Sequence, residues 1–318
     1  MHNSFKYLLG GLAATIIFLL FLSFKTGKPQ EPVISSINEA THIPEEISIF
    51  DTTVSLSRYD MRERFDRELL GFVYFHSQTI ATIKRANNYF PLIEPILKKN
   101  GIPNDFKYLA LIESFFQIRS ISSAKAAGLW QLMPETAKEL GLEVNDEVDE
   151  RYHIEKSTEA ACLYFIRAYK KFGDWMIVAA SYNAGMSRLS TNIEQQQVNN
   201  AFDLLLPNET SRYIFRILAA KELLKNPKKY GFVLKKEDMY HVVKCQEIRV
   251  DSSINNLSDF AKSYGITYSQ LKDYNVWLRN NQLTNSKKKP YIISIPDKND
   301  MNFHPDKVVI YQKNWVAE

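Results

Sequence analysis

The sequence predicts a mainly α protein: a helical domain over residues 59–225, followed by a small α+β module of βααβ order over residues 240–297. Three observations carry this. Apolar residues recur at helical spacing from Arg58 to Lys225. Asn226-Pro227-Lys228-Lys229 then breaks the pattern and opens a linker, residues 226–239. From Tyr240 the texture changes to strand, helix, helix, strand, leaving residues 298–318 as a C-terminal tail. With 45% hydrophobic and 24% charged residues, the 318-residue chain has ample material for a large core and a small one. Its net charge of +4 suits an anionic polymer and is too small to argue for nucleic acid.

The chain opens with Lys6 and then residues 7–24, an 18-residue stretch without a charge. This is the lower limit for a spanning helix. Residues 1–25 read as a signal anchor or a signal peptide; the missing small-x-small cleavage site favours the anchor, and either way the bulk of the protein is exported. Residues 26–58 mix Pro, Ser, Thr and acidic residues without periodicity and read as a tether.

Helical patterning follows. Phe65, Leu69, Phe72, Val73, His76, Ile80 and Ile83 form one broad stripe, on which His76 is expected to pack. A short helix over 91–99 is expected to end at Asn100-Gly101. In the next helix, with Asn104 as cap, Phe106, Leu109, Ala110 and Glu113 share one face. Pro134 suits the first position of a helix that Gly141 ends. Ser157 is expected to cap a helix with Ala161, Tyr164, Phe165, Ala168 and Phe172 on its apolar face, stopped at Gly173. Asp174 caps another, carrying Trp175, Val178, Ala179 and Tyr182 to Gly185. Residues 207–225 form the last amphipathic helix of the domain, with Asn208 or Thr210 as cap.

Within the module, residues 240–250 are strand-like, and Leu257, Phe260, Ala261 and Tyr264 mark a short helix. Thr267 and Gln270 form a capping box for a second helix, and residues 291–296 close as a strand. Cys162 reads as a small packing hydrophobe, with a disulfide to Cys245 as the alternative. No metal-ligand spacing is present, and neither metal nor cofactor is expected.

Glu113 stands out chemically. It lies on an apolar face between Ile112 and the Phe115-Phe116 pair. A carboxyl group held there is desolvated, which raises its pKa and suits it to protonate a leaving oxygen. On the helix alone, a merely solvated glutamate remains open. The following polar segment and Gly128-Leu129-Trp130-Gln131-Leu132-Met133-Pro134 bring Ser122 and Gln131 within reach of the same cleft. Gly128 permits close approach of a ligand or a second backbone. Asp105 lies about 12 Å before Glu113 along the helix axis, too far to be its nucleophilic partner.

This stretch resembles the lytic transglycosylases that share a fold with goose-type lysozyme. The residues that carry the resemblance are Glu113-Ser114, Ser122, Gly128 to Ala137, Ser181-Tyr182-Asn183-Ala184-Gly185 and, closing the domain, Pro207-Asn208-Glu209-Thr210 with Tyr213. Trp130 and Ser157 to Ala161 are similar to the membrane-bound D branch of that family. The resemblance implies a lysozyme-like, all-helical catalytic domain with Glu113 as the single acid/base. Ser114, Ser122, Gly128, Gln131, Met133, Tyr182 and Asn183 are then expected to bind substrate. It further implies that peptidoglycan glycan strands are cleaved between N-acetylmuramic acid and N-acetylglucosamine to a 1,6-anhydro product. The enzyme is expected to act as a monomer in the periplasm, held to the membrane by residues 7–24 or released after signal cleavage. A muramidase of the same fold, or a non-catalytic wall-binding scaffold, are the competing readings. Residues 240–297 resemble a LysM module, but Cys245-Gln246-Glu247 replaces its Gly-Asp-Thr, and Lys287-Lys288-Lys289 replaces a Gly-containing turn. Glycan binding and simple bracing both remain open for it.

Overall fold

The structure is a computed structural model that describes residues 40–317, so the apolar stretch 7–24 and residues 26–39 of the expected tether lie outside the described residues. No helix among the described residues is long and apolar enough to cross a membrane.

The first described element departs from the tether expected up to residue 58. Strands β1 (Glu46–Ile49) and β2 (Thr52–Ser55) pair antiparallel, Glu46 opposite Ser55. Their two-residue turn, Phe50-Asp51, has both φ values positive, as a type I′ hairpin requires. Phe50 tolerates this because its ring packs 4.6 Å from Phe106 and its N–H donates to Asp105 Oδ2 at 2.8 Å. The same Asp105 carboxylate pairs with Lys221 at 2.7 Å, so it serves the fold.

Helix α1 (Tyr59–Tyr74) ends at Phe75, and α2 runs unbroken from His76 to Lys99. The expected boundary before Pro91 is absent. Phe90, Ile93 and Leu97 are fully buried along one stripe of α2. At about 1.5–3 kcal/mol each they offset the roughly 3 kcal/mol that each of Pro91 and Pro95 costs a helix interior. The break falls instead before His76, which is exposed and stacks beside Tyr74 rather than packing inside.

A 3₁₀ turn over Asn104–Phe106 leads into α3 (Lys107–Ser114), and Asn104 gives its amide to Glu94 instead of capping. Helices α4 (Pro134–Glu139), α5 (Ile154–Phe172), α6 (Trp175–Ala184) and α7 (Met186–Gln196) follow. Asp174 caps α6 as expected, accepting from the Ile177 N–H at 2.8 Å. The start of α5 lies three residues before Ser157, whose hydroxyl is turned back onto the Ile154 carbonyl. Helix α8 (Asn208–Lys225) packs against α1, α3 and α6, with Tyr213, Ile214, Ile217, Leu218 and Leu224 buried.

The C-terminal module has the expected order. Strand β3 (Cys245–Val250) pairs antiparallel with β4 (Tyr291–Pro296), Val250 opposite Tyr291, around α9 (Leu257–Ser263) and α10 (Tyr268–Tyr274). The Thr267–Gln270 capping box forms at α10. The module is docked on the acidic stretch 143–150. Lys289 reaches Glu143 at 2.6 Å and Glu150 at 3.1 Å, and the Tyr291 hydroxyl donates to Glu143 at 2.9 Å. Arg279 and Asp149 add backbone bonds to the Glu147 and Trp277 carbonyls. The lysine cluster that replaces a glycine turn thus supplies a docking contact.

Neither the linker nor the tail is peripheral. Tyr230, Phe232, Leu234 and Met239 are buried in the main core, and so is Trp315, whose indole N–H donates to the Leu224 carbonyl at 2.7 Å. Asn87 holds the same returning segment through Val309 O and Tyr311 N. Cys162 is a buried free thiol and Cys245 an exposed one, so no disulfide joins them. Burial pushes the Cys162 thiol up to about 12.

Candidate active site

Glu113 sits in the last turn of α3, only partly accessible to solvent. Its Oε1 accepts a hydrogen bond from the Tyr213 hydroxyl of α8 at 2.6 Å. Burial pushes the carboxyl up to about 7; the Glu209 carboxylate adds to this, while the Tyr213 hydrogen bond and Arg216 act against it. The same burial, with Glu113 as neighbour, drives the Tyr213 and Tyr182 phenols well above their ordinary values, so both remain protonated. Glu113 is therefore an acid that is half ionised near neutrality, facing phenols that keep their protons.

Four hydrogen bonds between adjacent elements close a ring around this carboxyl. Ser114, next to Glu113, places its hydroxyl 2.9 Å from the Leu129 carbonyl. Trp130, next to Leu129, offers its carbonyl to the Tyr182 hydroxyl at 2.7 Å. Asn183, next to Tyr182, accepts from the Thr210 hydroxyl at 2.8 Å. Tyr213, one turn beyond Thr210, returns to Glu113. Helix α3, the 115–133 loop, α6 and α8 are thereby fixed to one another at the site. Behind the ring, Phe165 packs against Phe106, Trp130 and Tyr182 at 4.3, 5.8 and 5.4 Å, which backs it with an apolar layer.

The loop owes its shape to Gly128 and Arg151. Gly128 is buried with φ +80°, and a Cβ there would lie 2.0 Å from the Arg151 carbonyl oxygen. The Arg151 guanidinium, paired with Asp149 at 2.7 Å, donates to the Lys125 carbonyl at 2.7 Å and the Leu132 carbonyl at 3.1 Å. Gln131, itself at φ +47°, gives its amide to the Gly128 carbonyl at 2.8 Å and the Ser120 carbonyl at 3.2 Å.

Two of the residues expected to bind substrate have other duties. Ser114 is 3% exposed with its hydroxyl committed to carbonyls, so it ties α3 to the loop. Gly128 yields its space to a second backbone and not to a ligand. Tyr182 and Asn183 are half-buried and held by Trp130 and Thr210. Met133 is exposed where α4 begins. Ser122 is exposed in the loop turn, its hydroxyl accepting from the Ala126 N–H at 3.0 Å. The residues that sequence reasoning did not assign to the site are Tyr213, Thr210, Glu209 and Arg216, all on α8. Their signal was the segment from Pro207 to Tyr213, whose Thr210 and Tyr213 share a face at i, i+3.

Residues 91–204 match the model described as the transglycosylase SLT domain, and residues 246–299 that of the soluble lytic transglycosylase C-terminal LysM-like domain. The chain is 31% identical over 243 residues to membrane-bound lytic murein transglycosylase D of Escherichia coli strain K12, covering 75% of this chain and 52% of that protein. It thus spans about half the length of that relative. Over 141 residues it is 30% identical to a putative tributyltin chloride resistance protein of Alteromonas sp. strain M-1, covering 44% of this chain and 68% of that one. Among solved structures, the 70 kDa soluble lytic transglycosylase of Escherichia coli superposes with a TM-score of 0.38 at 24% identity, over 43% of this chain and 24% of that one. By its two domain matches and its sequence relatives alone, the chain belongs to the transglycosylase SLT domain family.

Proposed function

We propose that the chain is a peptidoglycan lytic transglycosylase that cleaves the β-1,4 bond between N-acetylmuramic acid and N-acetylglucosamine with Glu113 as its single acid/base. The observation that carries this reading is the Glu113 carboxyl, raised to about 7 and oriented by Tyr213. Such a group can both give and take a proton near neutral pH.

Glu113 gives its proton to the glycosidic oxygen as the C1–O bond breaks, and the muramoyl N-acetyl carbonyl oxygen bonds to C1 as an oxazolinium ion. The Glu113 carboxylate then takes the proton of the C6 hydroxyl. The C6 oxygen attacks C1, the oxazolinium opens, and a 1,6-anhydro sugar leaves with Glu113 reprotonated and no water consumed. Tyr213 steadies the carboxylate form between the two transfers. Ser114 and Gly128 act as positioning residues, while Ser122, Gln131, Met133, Tyr182 and Asn183 are the candidates to meet the sugars. The relatives' names support murein as substrate class. The word membrane-bound in one of those names supports attachment to the cell envelope, with residues 7–24 as the anchor. The docking of residues 240–297 on the acidic 143–150 stretch supports a bracing role for the LysM-like module.

One observation favours a hydrolase as second reading: Glu209, a second carboxylate, lies close enough to raise Glu113. It would have to direct a water to C1. Mass spectrometry of sacculi digested by the purified full chain separates the two. Anhydro-muropeptides from the wild type and none from Glu113→Gln are expected. Reducing-end products would establish the hydrolase, and no release from either protein would leave a wall-binding scaffold.

A further inference from the structure

Beside the site, a cavity of about 290 Å³ opens between α1, α2 and α8. Its floor is Glu68, 4% exposed, which pairs with Arg212 at 2.7 Å, Arg216 at 3.3 Å and Arg67 at 3.1 Å. Three guanidinium groups on one carboxylate leave the cluster with a cationic excess. Burial alone would raise Glu68, yet the guanidinium groups hold it below the ordinary carboxylate value, so it stays ionised. Arg216 spends only its Nε on Glu68, and its two terminal nitrogens have no hydrogen-bond partner among the described residues. Fixed by a buried anion, Arg216 presents a preformed fork of the kind that grips a carboxylate.

Two further features turn this cluster into a built site. The buried Nε2 of Gln78, another lining residue, has no hydrogen-bond partner. A buried amide donor without a partner is uncommon in folded proteins and marks a missing acceptor. The remaining wall is aromatic: Phe72, the 69% exposed Phe75, and Phe115. Phe115 enters the cavity because α3 ends there in left-handed conformation, with Phe115 at φ +49° and Phe116 at φ +55°. Both angles are unusual for phenylalanine, and Arg85 holds the turn through the Phe115 carbonyl at 3.2 Å. The cavity therefore pairs a guanidinium fork and an amide donor with an apolar wall. That combination fits a ligand with a carboxylate end and a small apolar body, rather than an inorganic anion.

Its position gives the ligand a source. Phe115 lies two residues after Glu113, and Arg216 acts electrostatically on Glu113 from one turn beyond Tyr213. We propose that this cavity is a subsite for the terminal carboxylate of the short peptide carried by the glycan strand, with Arg216 and Gln78 as the carboxylate ligands and Phe75 and Phe115 against the alanyl methyl group. The identification of the peptide rests on the function proposed above; the binding chemistry does not.

The test is a calorimetric titration of the purified full chain with diacetyl-lysyl-D-alanine, as free acid and as C-terminal amide. The acid is expected to bind about tenfold more tightly than the amide, as the loss of one charge-assisted contact implies. Arg216→Gln should erase that difference. Because Arg216→Gln also exposes Glu68 to unfolding, Gln78→Leu and Phe75→Ser, which leave the ion cluster whole, are titrated beside it; each should weaken the acid several-fold with the circular dichroism spectrum unchanged. Equal binding of acid and amide, no binding of either at millimolar concentration, or unchanged affinity in both Gln78→Leu and Phe75→Ser overturns the inference. No glycan enters the titration. A chain that binds the acid but releases no muropeptides refutes the transglycosylase reading alone, and one that cleaves sacculi but does not bind the acid refutes this subsite alone.

Discussion

Replacing Glu113 by glutamine should stabilise the folded chain, and by an amount that depends on pH. Burial raises the Glu113 carboxyl from the ordinary 4.5 to about 7, so the folded state binds this proton more tightly than the unfolded chain does. Below pH 4.5 both states are protonated and the group is neutral in the balance. Between 4.5 and 7 the unfolded chain ionises first, binds fewer protons, and stability falls as pH rises. Above 7 the loss is complete. A separation of about 2.5 pH units, at 1.36 kcal/mol per unit, amounts to about 3 kcal/mol. Glutamine has no such proton, and its amide oxygen still accepts from the Tyr213 hydroxyl. Denaturant unfolding of wild type and Glu113→Gln at pH 4 and pH 8 checks this. The two proteins should unfold alike at pH 4, and the variant should gain about 3 kcal/mol at pH 8. If the gap between them is the same at both pH values, the carboxyl is not desolvated and the argument for it as the acid fails.

The Tyr213 hydroxyl works in the opposite sense, because its hydrogen bond to Glu113 favours the carboxylate. Tyr213→Phe should lift the alkaline limb of the kcat/KM profile by about one pH unit or more, as the loss of one hydrogen bond to a charged group implies; an unmoved limb in the pH–rate curve would count against the contact. Gly128→Ala should cost about 3 kcal/mol or more, since it combines a disallowed φ with a Cβ set 2.0 Å from a backbone oxygen. Thermal melting reads that loss directly, and a wild-type midpoint would mean the loop is not held by Arg151. Trp315→Ala should cost about 3–5 kcal/mol, as for other large core residues, although the residue lies in the stretch that sequence patterning assigns to a tail. Retention of the wild-type denaturation midpoint would show that the returning segment does not support the core.

What was legible in the sequence was whatever depends on local pattern. The apolar stripes of α5 and α6, the Asp174 cap, the Thr267–Gln270 box and the βααβ order all follow from spacing and capping chemistry. Glu113 was visible for the same reason, as one carboxylate on an apolar helix face. The misses are tertiary. Proline arithmetic broke α2 before Pro91, yet the buried stripe through Phe90, Ile93 and Leu97 overrides it. Trp315 and Phe232 lie in stretches with no periodicity, because a single anchoring side chain needs none. Tyr213 stands 100 residues from Glu113, so nothing in the spacing of either residue announces that they touch. Ser114 looked like a ligand contact because motifs report which residues gather at a site and are silent about which way each one points.

The hydrogen-bond ring that begins at Ser114 and returns through Tyr213 to Glu113 has a consequence for how the family's sequence can drift. Each of its four elements is located from two directions, so the geometry carries redundancy, like a truss with one member more than it needs. Losing a single tie, such as the Thr210–Asn183 bond, leaves every element still held from its other side. Losing a second cuts the opened ring in two, and frees one element entirely when both lost ties are its own, so paired substitutions should cost more than their separate effects added together. Tolerance at any one position then depends on the other three being intact. Except at Tyr213, which also tunes the Glu113 carboxyl, a single change costs the fold little until a distant helix loses its own tie.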